Sequence, residues 1–184
     1  MEFPWDVAVV VGVPGVGKTS VCRKVSSILE CKYVNYGDMM LEVAQNKRLA
    51  STDPEMFVLD MDIQHEIWET TALKIKDMNN VLVDLHGLDQ SKIGYILSLP
   101  LDIISPDIII LIEASYQNII KRRHGDKSKQ RIIEDIESVK EHMEILRTSM
   151  AVCSALIGCN FLILKNDVFE ECIKEMLNLL SKDI

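Results

Sequence analysis

Directly behind the apolar run Val7–Val13 the chain reads Gly12-Val13-Pro14-Gly15-Val16-Gly17-Lys18-Thr19-Ser20. A G-x-x-x-x-G-K-[ST] pattern placed after a strand and before a helix constrains the fold more than any other segment. Its glycines let the backbone turn with amide N–H groups facing inward, and the helix starting at Lys18 adds the positive end of its dipole. The loop therefore reads as a phosphate cradle. Gly12, Val13, Pro14, Gly15, Val16, Gly17 and Ser20 would surround the phosphates of ATP, Lys18 would reach its β- and γ-phosphates, and the Thr19 hydroxyl would ligate Mg²⁺.

The remaining pattern extends this into an α/β domain. Five apolar, β-branched runs, Val7–Val13, Lys32–Tyr36, Val81–His86, Ile108–Ala114 and Phe161–Lys165, have strand length and little alternation, as in buried parallel strands. Helical spacing fills the intervals Lys18–Glu30, Asp38–Lys47, Met61–Met78, Ser115–Arg123, Ile132–Ile157 and Val168–Ser181, with a weaker helix expected over Ser91–Pro100. Alternation of this kind predicts right-handed βαβ crossovers, with helices on both faces of the sheet and ligands at the carboxyl ends of the strands. The whole chain, 1–184, is read as one domain, a length suited to a single core.

Composition excludes several classes. A net charge of −8 argues against nucleic acid as a partner. The longest apolar stretch, around Ile103–Ala114, is interrupted by Ser105, Pro106, Asp107 and Glu113, so no membrane anchor is expected. MEFPWD lacks a basic leader, and five cysteines without C-x-x-C spacing suit reduced thiols; a cytoplasmic location is the expectation.

Two further groups point to the chemistry. Asp84, in VLVDLHG at the tip of the third strand, is placed to serve the magnesium shell, and His86 would lie on the same side of the sheet. Four of the six arginines, Arg122, Arg123, Arg131 and Arg147, fall around the basic loop HGDKSKQR. Arginine suits planar, bidentate phosphate contacts, so the cluster reads as a clamp closing over the nucleotide. The alternative is a solvated charged face paired with Glu134, Asp135, Glu137, Glu141 and Glu144.

Over nearly its whole length the chain resembles the archaeal adenylate kinases. The resemblance rests on GVPGVGKTS, VNYGDMMLEVAQ, LVDLHG with GY and LP after it, SPDIIILIEAS, RR and EHMEILR, with 19 residues from Arg123 to His142. It implies a three-layer P-loop fold with a five-stranded parallel sheet and reversible transfer, MgATP plus AMP giving two ADP. It also implies an AMP-side segment at about 37–78, a short lid at about 122–132, and a homo-oligomer, often a homotrimer. Lys18, Arg122, Arg123 and Arg131 would act on the transferring group. Gly37, Asp38 and Met39 would border AMP, with Asp84 and His86 beside the substrates, and Thr19 and Asp84 would serve the metal.

The chain departs from that family in three places. Met56-Phe57-Val58-Leu59 stands where an arginine is usual after the methionine, with Lys47 or Arg48 as conceivable substitutes. Lys129-Gln130-Arg131-Ile132 replaces Arg-x-Arg-Asp in the lid. Asp38 replaces a small residue and is expected to cap the next helix. Two alternatives stay open: a related kinase with another acceptor, such as CMP or a broad range of nucleoside monophosphates, and an adenylate kinase-like ATPase linked to ribosome assembly.

Overall fold

The computed structural model describes residues 3–91, 94–125 and 136–181. Strand β1, Val7–Val11, is buried along its length and lies at the centre of a parallel sheet between β3, Val81–Asp84, and β6, Ile108–Glu113. Strands β2, Lys32–Asn35, and β7, Asn160–Lys165, form the edges, giving the order β2-β3-β1-β6-β7. Every pairing in this sheet is parallel, and β1, β3 and β6 are buried along their length, so they read as apolar runs, up to Asp84 and Glu113 at the tips of β3 and β6, instead of alternating.

Helix α1, Lys18–Leu29, covers β1, β2 and β3 on one face and packs against α7, Phe169–Leu180. On the opposite face α6, Ile136–Ile157, lies over β6 and β7 and meets α5, Tyr116–Gly125. The side chain of Asp107 accepts the backbone N–H groups of Asp6 and Val7 at 2.8 and 2.9 Å, fixing the start of β1 to that of β6. Trp5 is buried and donates its indole N–H to the Leu180 carbonyl, so the two ends of the described chain are joined beneath the sheet.

The segment between β2 and β3 builds a second, smaller core. Helices α2, Tyr36–Asn46, α3, Asp53–Phe57, and α4, Met61–Lys76, enclose Val43, Ala44, Ala50, Met56 and Ile67. The Tyr36 hydroxyl donates to the Trp68 carbonyl at 2.7 Å, tying the start of α2 to α4.

Two local expectations are corrected, and one helix is added. The described residues of Ser91–Pro100 form no helix: β4, Leu88–Ser91, and β5, Gly94–Leu97, pair antiparallel. Gly94 weakens a helix, and Tyr95 and Ile96 favour a pleated surface, with the Tyr95 ring resting against His142. Asp38 does not cap α2; Asn35 does, accepting the Asp38 N–H at 3.1 Å, while Asp38 sits exposed in the first turn. Helix α3 goes unread in the sequence although T-D-P-E is a start signal: Thr52 is its cap, Pro54 lies in its first turn, and Glu55 accepts the Ser51 N–H. The remaining strands and helices lie where expected, apart from end shifts of a few residues and residues 132–135 of the long helix, which lie outside the described chain.

The interior position of β6, between β1 and β7, makes a clear stability prediction. Ile110→Ala removes a fully buried side chain and should cost about 2–5 kcal/mol in urea unfolding. Ile163→Ala on the edge strand, where the side chain is largely exposed, should cost under about 1 kcal/mol.

Candidate active site

The site lies at the carboxyl edge of the sheet, where β1 gives way to the glycine-rich loop. Gly15 and Gly17 take φ of +95° and +93°, a left-handed backbone that side chains disfavour. Gly17 precedes α1 with no side-chain cap, and the first turn of the helix has no acid. The leading amides of α1 are thus left for an anion. Lys18 is buried and its Nζ donates to the Gly12 carbonyl at 2.6 Å, folding the ammonium group back over the loop.

Asp84 is brought beside Thr19 by register. It pairs with Val10 in β1 and with Asn35 in β2, and it is only 3% exposed. One of its oxygens, Oδ2, accepts from the Thr19 hydroxyl at 2.7 Å, from the Tyr33 hydroxyl at 3.2 Å and from the Asn35 amide at 3.4 Å. Tyr33 and Asn35 are two apart on β2 and so share a side of the sheet. A hydroxyl and a carboxylate oxygen in hydrogen-bond contact are hard donors that suit Mg²⁺, which commonly completes its shell with waters and substrate phosphates. Burial, and then the Asp84 charge, push the Tyr33 phenol up to about 12.

The arginines of α5 face the outside of the loop. Arg122 donates through Nη1 to the Val16 carbonyl at 2.9 Å and through Nη2 to the Asn166 carbonyl at 2.7 Å. Arg123 donates through Nε to the Pro14 carbonyl at 2.8 Å. Arg131, with Lys129, Gln130 and Ile132, lies outside the described residues. Arg147 stands apart from the loop, in a bidentate pair with the buried carboxylate of Glu113 at 2.9 and 2.7 Å, and so joins α6 to the tip of β6.

His86 follows the end of β3. Its carbonyl accepts the Gly12 N–H at 3.4 Å and its Nδ1 contacts Asp89 Oδ1 at 2.9 Å. Burial pushes the Asp89 carboxyl up, but hydrogen bonding and charge from His86, with Ser98 and His142 contributing, hold it below its ordinary value. His142 is buried, with Nε2 3.1 Å from the Leu88 carbonyl, and holds α6 to β4.

On the other side, Gly37 and Asp38 lie exposed in the first turn of α2, with Met39 packed against the main core. Phe57 is 63% exposed at the end of α3, Lys47 is paired with Glu66, and Arg48 is exposed with φ +58° just past α2. Tyr33, Asn35, Glu113 and Asn166 escape the sequence reading. Only Asn166 leaves a signal there: a polar Asn-Asp pair directly after an apolar strand marks the ligand-bearing edge of such a sheet.

The sequence matches the family described as AAA domain over residues 11–140. It is 51% identical over 178 residues to an adenylate kinase homolog of Methanothermobacter thermautotrophicus, covering 97% of this chain and 93% of that protein. It is 32% identical over 183 residues to the adenylate kinase of the same organism, covering 95% and 99%. The shikimate kinase structure from Bacteroides thetaiotaomicron superposes with a TM-score of 0.61 at 14% identity, covering 97% of this chain and 99% of that one, a likeness of fold.

The environment of Tyr33 yields a pH prediction. Its phenol titrates near 10 when unfolded and about 12 when folded, so between those values the unfolded chain holds fewer protons. Stability should therefore fall as pH rises from about 10 to about 12. Chemical denaturation across that window should show a shallower fall in Tyr33→Phe.

Proposed function

The chain belongs to the family of archaeal adenylate kinases and their homologues, and we propose that it is a nucleoside monophosphate kinase that moves the γ-phosphoryl group of MgATP to AMP, giving two ADP. The observation that carries this reading is the placement of Lys18 and Thr19 in the phosphate loop with Asp84 bonded to Thr19 across the sheet edge. Kinship along nearly the full length supports it.

In this mechanism residues Gly12 to Ser20, through those of their N–H groups that face inward, would hold the triphosphate, and Thr19 and Asp84 would hold Mg²⁺. That ion, when bound, neutralises charge on the β- and γ-phosphates. Lys18 leaves the Gly12 carbonyl for the β- and γ-phosphate oxygens, exchanging a neutral acceptor for a charged one. Arg123 turns from Pro14 toward the transferring group, with Arg122 fixing the loop beside it and Arg131 contributing from the lid segment, about 122–132. Transfer is in line from ATP to an acceptor phosphate oxygen, with no covalent enzyme intermediate and little need of a general base. The acceptor lies on the side of segment 37–78, bordered by Gly37, Asp38 and Met39, with His86 beside it.

A second reading is kept for the acceptor alone. Arg48 is the sole arginine of residues 37–78, and Phe57 stands where the family usually supplies another. Within one organism, identity is 51% to the homolog and 32% to the adenylate kinase. Both facts favour a different monophosphate, CMP among them, or weak affinity for AMP. A lost charge-assisted contact of about 1.5–3 kcal/mol corresponds to roughly ten- to a hundredfold. A magnesium-dependent, cytoplasmic homo-oligomer belongs to the same proposal. Among the described residues, no helix is long and apolar enough to cross a membrane.

ADP formation from ATP with AMP, CMP, UMP and GMP in turn tests the acceptor. AMP should give the highest kcat/KM; a larger value with another nucleotide replaces AMP, and hydrolysis unaffected by any of them overturns kinase activity. Arg123→Ala should lower kcat by about 10³-fold or more, and an unchanged kcat removes Arg123 from the transition state.

A further inference from the structure

We propose that Asn166 is a positioning residue of the phosphate loop: its side-chain amide locks the Val16–Gly17 peptide in the orientation that presents the Gly17 N–H to a phosphate. This rests on the reading of the loop as the ATP site. Asn166 follows β7, at the far edge of the sheet in sequence order, yet its Nδ2 donates to the Val16 carbonyl at 2.7 Å. The same oxygen receives Arg122 Nη1 at 2.9 Å, so both of its lone pairs are taken from outside the loop.

The peptide needs such a lock. Gly17 has no side chain to bias its backbone, and a flip of the 16–17 peptide would carry the Val16 oxygen into the cradle, where it would repel a phosphate. Asn166 is itself immobilised. Its N–H donates to the Glu113 carbonyl at 2.7 Å and its own carbonyl receives Arg122 Nη2 at 2.7 Å. The residue is 1% exposed, and the hydrogen bond described for its side chain is the one its Nδ2 gives to Val16. Close packing adds a second indication: a Cβ placed on Gly17 would lie 2.6 Å from Asn166 Nδ2. The last glycine of the loop is thus required by the approach of Asn166 as well as by the ligand.

The test uses the full chain and ligands that report on separate parts of the site. Magnesium tripolyphosphate probes the loop, adenosine probes the base pocket, and calorimetry measures both. Asn166→Leu keeps the bulk and removes the donor; Asn166→Ala is the second variant should Leu impair folding. Tripolyphosphate affinity should fall about tenfold in either variant, the loss of one well-placed hydrogen bond, with adenosine affinity unchanged. A loss confined to adenosine makes Asn166 a base contact and overturns the proposal. Unchanged binding of both, or parallel loss of both, overturns it too. Wild-type protein that fails to bind tripolyphosphate overturns the reading of the loop itself, a result distinct from failure of the lock.

Discussion

Everything at the site depends on one requirement of the backbone: a loop that turns its amides inward must turn carbonyls outward, and buried carbonyls need donors. The structure meets this at alternate residues. Gly12 O receives Lys18 Nζ, Pro14 O receives Arg123 Nε, and Val16 O receives both Arg122 and Asn166. Those donors come from the start of α1, from α5 and from the end of β7, so the loop's shape is held by its own helix and by two elements that the chain reaches more than a hundred residues later. The glycine-rich segment supplies permissive torsions; the distant donors convert permission into one conformation.

This explains what was legible in the sequence. Parallel strands buried on both faces announce themselves as apolar runs, and the loop motif fixes β1 and α1 beside them; Val7, Val81 and Ile108 open three runs that needed no tertiary knowledge to find. The β4–β5 pair was hidden because a short segment with Gly94 inside carries too few residues to separate a period of two from one of 3.6. Asp84 was readable because it ends a strand. Tyr33 and Asn35 were not, because their part in the site comes from the β2–β3 register, and no local pattern records which strand lies beside which.

The arginines show the same limit more sharply. Clustering of Arg122, Arg123, Arg131 and Arg147 in sequence suggests one phosphate clamp, but a guanidinium near a phosphate loop has two kinds of acceptor within reach: ligand oxygens and the loop's own carbonyls. In the described conformation Arg122 and Arg123 take the carbonyls, and Arg147 takes Glu113 on another element. Residue type and spacing identify a planar, always-charged donor. They do not identify the acceptor, which depends on where α5 and α6 dock.

The hydrogen bonds described for Lys18 and Arg123 are also those that a bound triphosphate would replace. A phosphate oxygen carries charge where the loop carbonyls do not, so Lys18 and Arg123, already cationic donors, bind it more strongly. Val16 differs. Its two donors, Arg122 and Asn166, meet at one oxygen, and releasing them would free the peptide they fix. The loop therefore divides its outward contacts into two sets: those at Gly12 and Pro14, held by cations that the ligand can take over, and that at Val16, which has to persist through binding for the cradle to keep its form. Asn166 belongs wholly to the second set, and Arg122 spans Val16 and Asn166 as the brace between them.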